Sequence, residues 1–100
     1  MHKTISPNKF VALKYRVDES RPVEFEVASD QPVKTYVLRP KGLDRFKEGE
    51  RTFKYYGGFP DPPRRLQRQK IWLPFSGEWF LVISNPDKFK PAEVDYEVYY

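Results

Sequence analysis

The run Ser76-Gly77-Glu78-Trp79-Phe80-Leu81-Val82-Ile83-Ser84 reads as a turn followed by a strand. Trp79 to Ile83 are all apolar, so an extended chain here carries hydrophobic groups on both faces. The expected strand is therefore central and covered on both sides. Pro74-Phe75-Ser76-Gly77 supplies the tight turn that leads into it, and Trp79 is placed between two layers of sheet.

Working outward, the same period of two recurs. Val11, Leu13, Tyr15 and Val17 alternate with Lys14 and Arg16, and Val23, Phe25 and Val27 alternate with Glu24 and Glu26. Glu19-Ser20-Arg21-Pro22 separates these two runs, and Ser29-Asp30-Gln31-Pro32 turns into a third strand from Val33 to Arg39. Leu43 and Phe46, three apart, predict one short helical turn or packed loop in residues 41–51, with Gly49 as its stop. A further strand is expected over Thr52–Tyr56, closed by Gly57-Gly58. Phe59-Pro60-Asp61-Pro62-Pro63 follows as a stiff loop, because each proline fixes its own φ and restrains the residue before it. Arg64–Leu73 resumes the strand pattern. After Asn85-Pro86-Asp87, Val94, Tyr96, Val98 and Tyr100 alternate with Glu93, Asp95 and Glu97.

Short strands at regular spacing, with Gly/Pro turns and no amphipathic helix of any length, predict an all-β fold. The expected form is an antiparallel β-sandwich, jelly-roll or Ig-like, of about seven to eight short strands. Residues 1–100 form one domain in this reading, with 1–8 as a flexible N-terminal segment. The expected core includes Leu13, Phe25, Val37, Trp79, Leu81 and Val94.

The second half carries a distinctive string: Phe46, Gly49, Tyr55-Tyr56-Gly57-Gly58, Ile71-Trp72-Leu73-Pro74, Ser76-Gly77-Glu78-Trp79 and Leu81-Val82-Ile83. It resembles a family of small bacterial β-sandwich domains of unknown function, found alone or beside TIR-type signalling domains. Ser29-Asp30-Gln31-Pro32-Val33 with Tyr36-Val37-Leu38 is also similar to bacterial pre-peptidase C-terminal domains. Both resemblances imply a β-sandwich, and neither carries catalytic residues to transfer. The Pro60–Arg68 loop departs from the first pattern in its length and in its proline and arginine content.

Hydrophobic residues are 39% of the 100, charged residues 32% and aromatic residues 17%, too apolar and aromatic for a disordered chain. There are no cysteines, which excludes disulfides and thiolate chemistry. The chain has one histidine, His2, at a terminus expected to fray. The carboxylate pairs Glu24/Glu26 and Asp95/Glu97 have acid/base or calcium-ligand spacing, but the same spacing is that of a solvated sheet face. No phosphate-binding glycine pattern is present. The reading is a non-enzyme with no catalytic residues, no metal and no cofactor. No apolar run is long enough for a membrane span and no leader is visible, so the expected location is cytoplasmic, or extracellular if a signal peptide has been removed.

Net charge is +4, unevenly placed. Residues 41–70 hold nine Lys/Arg against four Asp/Glu, whereas residues 71–100 hold two against five. Within the basic segment, Tyr56, Arg64, Arg65, Arg68, Lys70 and Trp72 form the candidate ligand-binding set. If the strand holding Lys54 and Tyr56 paired with the next one, cations and aromatic rings would share a surface. That combination suits single-stranded nucleic acid, an acidic protein or an anionic glycan. The plain alternative is a solvated edge whose charges block strand-to-strand aggregation. Four functions stay open: a recognition module for a protein partner, a carbohydrate-binding or surface-attached domain, a nucleic-acid or polyanion binder, and a self-assembling structural protein.

Overall fold

The computed structural model describes residues 1–100. It contains six strands and one helix: β1 (His2–Ile5), β2 (Phe10–Val17), β3 (Arg21–Leu38), α1 (Pro40–Lys47), β4 (Arg64–Leu73), β5 (Gly77–Ser84) and β6 (Ala92–Tyr99). All pairings are antiparallel.

β3 organises the molecule because it belongs to two sheets. Along one edge it pairs with β4, from Arg21↔Leu73 to Ala28↔Leu66 and again at Val33↔Arg64. Along its other edge, Glu24–Ser29 pair with β6 and Lys34–Leu38 pair with β5. β1 extends the first half beyond β6, and β2 extends the second beyond β5. The result is a curled sheet in the form of a half-barrel, with 57% of residues in strands. The fold is all-β and antiparallel.

The strand count is six, and three expectations change with it. The segments on either side of Ser29-Asp30-Gln31-Pro32 are one strand of 18 residues with a bend, not two strands joined by a turn. The bend is held from outside, since the Glu93 backbone N–H donates to the Asp30 carboxylate at 2.8 Å. Residues 52–56 form a loop instead of a strand, touching the sheet through the single Val37↔Gly57 bridge. Finally, residues 2–5 of the segment expected to be flexible are strand β1, in register with β6 from His2↔Asp95 to Ile5↔Ala92. Ile5 is buried there, which gives this short edge strand an apolar anchor.

Two clusters of apolar side chains explain the Trp79–Ile83 run. Trp79, Leu81 and Ile83 join Phe25, Val27, Val37 and Val94 in the main core, while Leu38, Leu43 and Val82 form a second, smaller core. Phe10, Tyr36, Phe46, Phe53 and Phe80 pack on this second core, so β5 is covered on both faces as its sequence requires. Of the expected core, Phe25, Val37, Trp79, Leu81 and Val94 are fully buried and Leu13 is half-buried. The Tyr15 ring stacks on Trp79 at 4.9 Å between centroids, and burial pushes its phenol up to about 12.

α1 realises the expected helical turn. Leu43 is buried, Phe46 meets Phe10 edge-on at 4.9 Å, and Gly49 ends the segment at φ 77°. The helix packs on β5 and β3 and, through Phe46 against Phe10, on β2. It therefore covers the β2–β5–β3 half, and the outer face of β4–β3–β6–β1 is left without a covering layer.

Candidate interaction surfaces

The bare outer face is built by the period of two. β4 contributes Leu66, Arg68, Lys70 and Trp72, and β3 contributes Pro22, Glu24, Glu26 and Ala28. β6 contributes Asp95, Glu97 and Tyr99, and β1 contributes His2 and Thr4. Register then sets the rows: Trp72 beside Pro22, Lys70 beside Glu24, Arg68 beside Glu26, and Leu66 beside Ala28.

This register changes what the basic segment can do. Arg68 donates from Nε to Glu24 at 3.0 Å, its Nη2 also lies 3.0 Å from Glu24, and its Nε lies 3.1 Å from Glu26. One guanidinium thus neutralises part of a pair of like charges on β3. The Glu24/Glu26 pair, which has acid/base spacing in the sequence, holds this arginine. Lys70, one row along, makes no ion pair. Trp72 and Leu66 flank the two cations and are 60% and 75% exposed.

Of the six candidate residues, the structure brings three together on one face: Arg68, Lys70 and Trp72. Arg64 lies at the β4 entrance with its guanidinium 4.6 Å from the centre of the Phe59 ring. Arg65 is exposed on the alternate phase of the strand, shared with Gln67 and Gln69. Tyr56 is elsewhere. It packs against the main core and meets Phe75 at 5.1 Å, with Lys54 Nζ 5.1 Å from its ring centre. The segment containing Lys54 and Tyr56 pairs with β3 at Val37, not with β4, so the anticipated joint surface does not form.

The residues that prevent it do not stand out in the sequence. Gln67 is buried, donates to the Val33 carbonyl at 2.8 Å and accepts from the Thr35 hydroxyl at 2.5 Å. Gln69 accepts from the Gly58 N–H at 2.7 Å, and the Thr35 hydroxyl oxygen accepts from the Phe59 N–H at 2.9 Å. Together they clamp the 57–59 loop along β3. Gly58 has φ 111°, and a Cβ on it would collide with the Thr35 carbonyl group, so only glycine fits. The available signal is the pair of glutamines at the apolar phase of a strand.

At the opposite side of the face, His2 lies between two carboxylates. Its Nδ1 is 2.8 Å from Asp95 and its Nε2 is 2.6 Å from Glu93. Hydrogen bonds to Asp95 and Glu93 raise the imidazole from its ordinary value, and the same contact lowers Glu93. The Asp95/Glu97 spacing thus serves, at Asp95, to hold β1 in place. Tyr99 stands on the outer face, whereas Tyr100 turns toward Tyr15 and Trp79, with edge contacts at 5.8 and 6.3 Å.

No helix is long and apolar enough to cross a membrane. No protein-family model matches the chain, and no curated protein matches it.

Proposed function

We propose that the chain is a non-catalytic interaction module that receives an extended segment of a protein partner along the free edge of β4. One observation carries the proposal: β4 is a ten-residue strand whose second edge has no backbone partner, and its outward stripe is apolar, basic, basic, apolar (Leu66, Arg68, Lys70, Trp72). An unpaired edge offers main-chain hydrogen bonds to an added strand, and alternate side chains set its specificity. Edge charges normally discourage such pairing. Here Arg68 is tied to Glu24 and Glu26, and Lys70 is the cation without a carboxylate partner.

Charge also selects the occupant. A second copy of β4 pairing antiparallel about Gln69 would set Arg68 opposite Lys70 twice, and directly opposed like charges destabilise a sheet. A partner strand with acidic residues at alternate positions between two apolar ones has no such cost. Because the stripe has the same character read from either end, both strand directions satisfy it. We read the curled sheet as belonging to the β-sandwich class that the Tyr55–Ile83 string resembles, with the accessory role of those small domains.

The test is a fluorescence titration, with exposed Trp72 as reporter, against a short peptide alternating Thr with Leu, Glu, Glu and Leu. Binding that is weakened by Lys70→Glu and absent for the peptide with Lys in place of Glu is expected. Equal binding of the two peptides, or binding of neither, would contradict the proposal.

A further inference from the structure

A second surface, separate from the β4 edge, gathers four further cations. Arg39, Lys41, Arg45 and Lys54 line a cleft of about 490 Å³ together with Pro40, Gly42 and Tyr56. No carboxylate lines it. Of the four cations, Arg45 alone has an ion-pair partner, a loose one, with its Nε 3.8 Å from Glu50.

These charges are placed by the fold. The Arg39 guanidinium is stacked 4.1 Å from the centre of the Phe75 ring and donates from Nη2 to the Ser76 carbonyl at 3.4 Å. Lys54 is held above the Tyr56 ring. Gly42 lets the Lys54 segment approach the helix, since a Cβ there would lie 3.0 Å from the Lys54 carbonyl oxygen. Lys41 and Arg45, four apart on α1, fall on one side of the helix. In the absence of a counter-ion, four like charges around one cavity repel, and the site gains most from a ligand bearing two or more negative charges.

The local backbone adds to this preference. Arg39 at the helix start offers no side-chain cap, the first turn contains no acid, and Leu43 is the first residue whose N–H returns to the chain, at the Arg39 carbonyl. The positive end of the helix dipole therefore faces the same side as the cations.

We propose that this cleft binds a small multiply charged anion of the phosphate-ester or polyphosphate class. A tetrahedral phosphoryl group accepts hydrogen bonds from several directions at once. That geometry matches a planar guanidinium fork on Arg45, ammonium donors on Lys41 and Lys54, and backbone N–H groups at the helix start. The Tyr56 ring forms part of the wall, giving the ester portion of such a molecule an aromatic surface.

The test is titration of the isotopically labelled protein with inorganic pyrophosphate near physiological ionic strength, following backbone amides. Saturable shifts at Lys41, Gly42 and Lys54 are expected. Lys54→Gln and Arg45→Gln should each weaken binding by about tenfold, the cost of one charge-assisted hydrogen bond. Lys54→Arg should retain binding, and Lys70→Gln on the outer sheet face should leave it unchanged. Shifts that do not saturate, or that Lys70→Gln weakens as much as Lys54→Gln does, would overturn the proposal. So would a single-stranded oligonucleotide that shifts these amides when pyrophosphate does not.

Discussion

Arg68 reaches across the β3–β4 pair to Glu24 at 3.0 Å, an ion pair between residues 44 apart in the chain. It also stands 3.1 Å from Glu26, whose cross-strand neighbour on β6 is Glu97. Removing the guanidinium leaves these carboxylates facing one another. Arg68→Ala should therefore lower the urea midpoint, and the loss should shrink as salt is raised and the repulsion is screened. A loss that is the same at low and high salt would show that Arg68 acts through packing alone.

The two tryptophans separate core from surface. Trp79 is fully buried and stacked on Tyr15, so Trp79→Ala should cost about 3–5 kcal/mol. Trp72 stands on the outer face, and Trp72→Ala should stay within about 0.5 kcal/mol. Chemical denaturation of both variants checks the strand phase of β4 and β5 together. Similar losses in the two would contradict it.

Strand phase is legible in the sequence because it depends on nearest neighbours. Val11 to Val17, Trp79 to Ile83 and Val94 to Val98 all face where their period of two places them. Pairing is less legible. Ser29-Asp30-Gln31-Pro32 has the composition of a turn, and what makes it a bend in one strand is its contact with Glu93, 63 residues away. The basic excess of residues 41–70 has the same limit. A local count cannot see that Arg68 meets Glu24 and Glu26, nor that Lys54 crosses to Arg39, Lys41 and Arg45. Tyr56 lies away from the basic stripe of β4 because Gly57 and Gly58 direct its segment along β3, under the grip of Gln69 and Thr35.

That grip makes its own prediction. Gly58→Ala combines a φ that disfavours side chains with a collision at the Thr35 carbonyl and should destabilise by more than about 1 kcal/mol. Gly49 also has positive φ, but a Cβ there would meet nothing within 4 Å, so Gly49→Ala should cost less. Thermal or chemical melts of the pair decide it, and the reverse order would place the strain at the helix end instead.

His2 supplies a pH dependence whose sign follows from its partners. Its folded-state value is raised, so its contribution is complete below the unfolded value of about 6.5 and is lost as pH rises through the folded value. Glu93 is lowered, so its contribution is present above its unfolded value and is lost as pH falls through the folded one. The pairing of β1 with β6 should therefore be tightest on the mildly acidic side of neutrality. Amide hydrogen exchange at Lys3 and Ile5, whose N–H groups face β6 in this register, should report more frequent opening at alkaline pH once corrected for the intrinsic effect of pH. His2→Gln should remove that dependence, and an unchanged profile in this variant would assign it to another group.

The central claim is that β4 is the edge on which a partner strand is added, and site-resolved hydrogen exchange with the alternating Leu/Glu peptide tests it most directly. Saturating peptide should slow exchange at alternate amides between Arg64 and Leu73, those on the edge facing away from β3, and leave the edges of β1 and β2 unchanged. Protection confined to β1 or β2, or no added protection along β4 while the peptide is bound, would contradict the account.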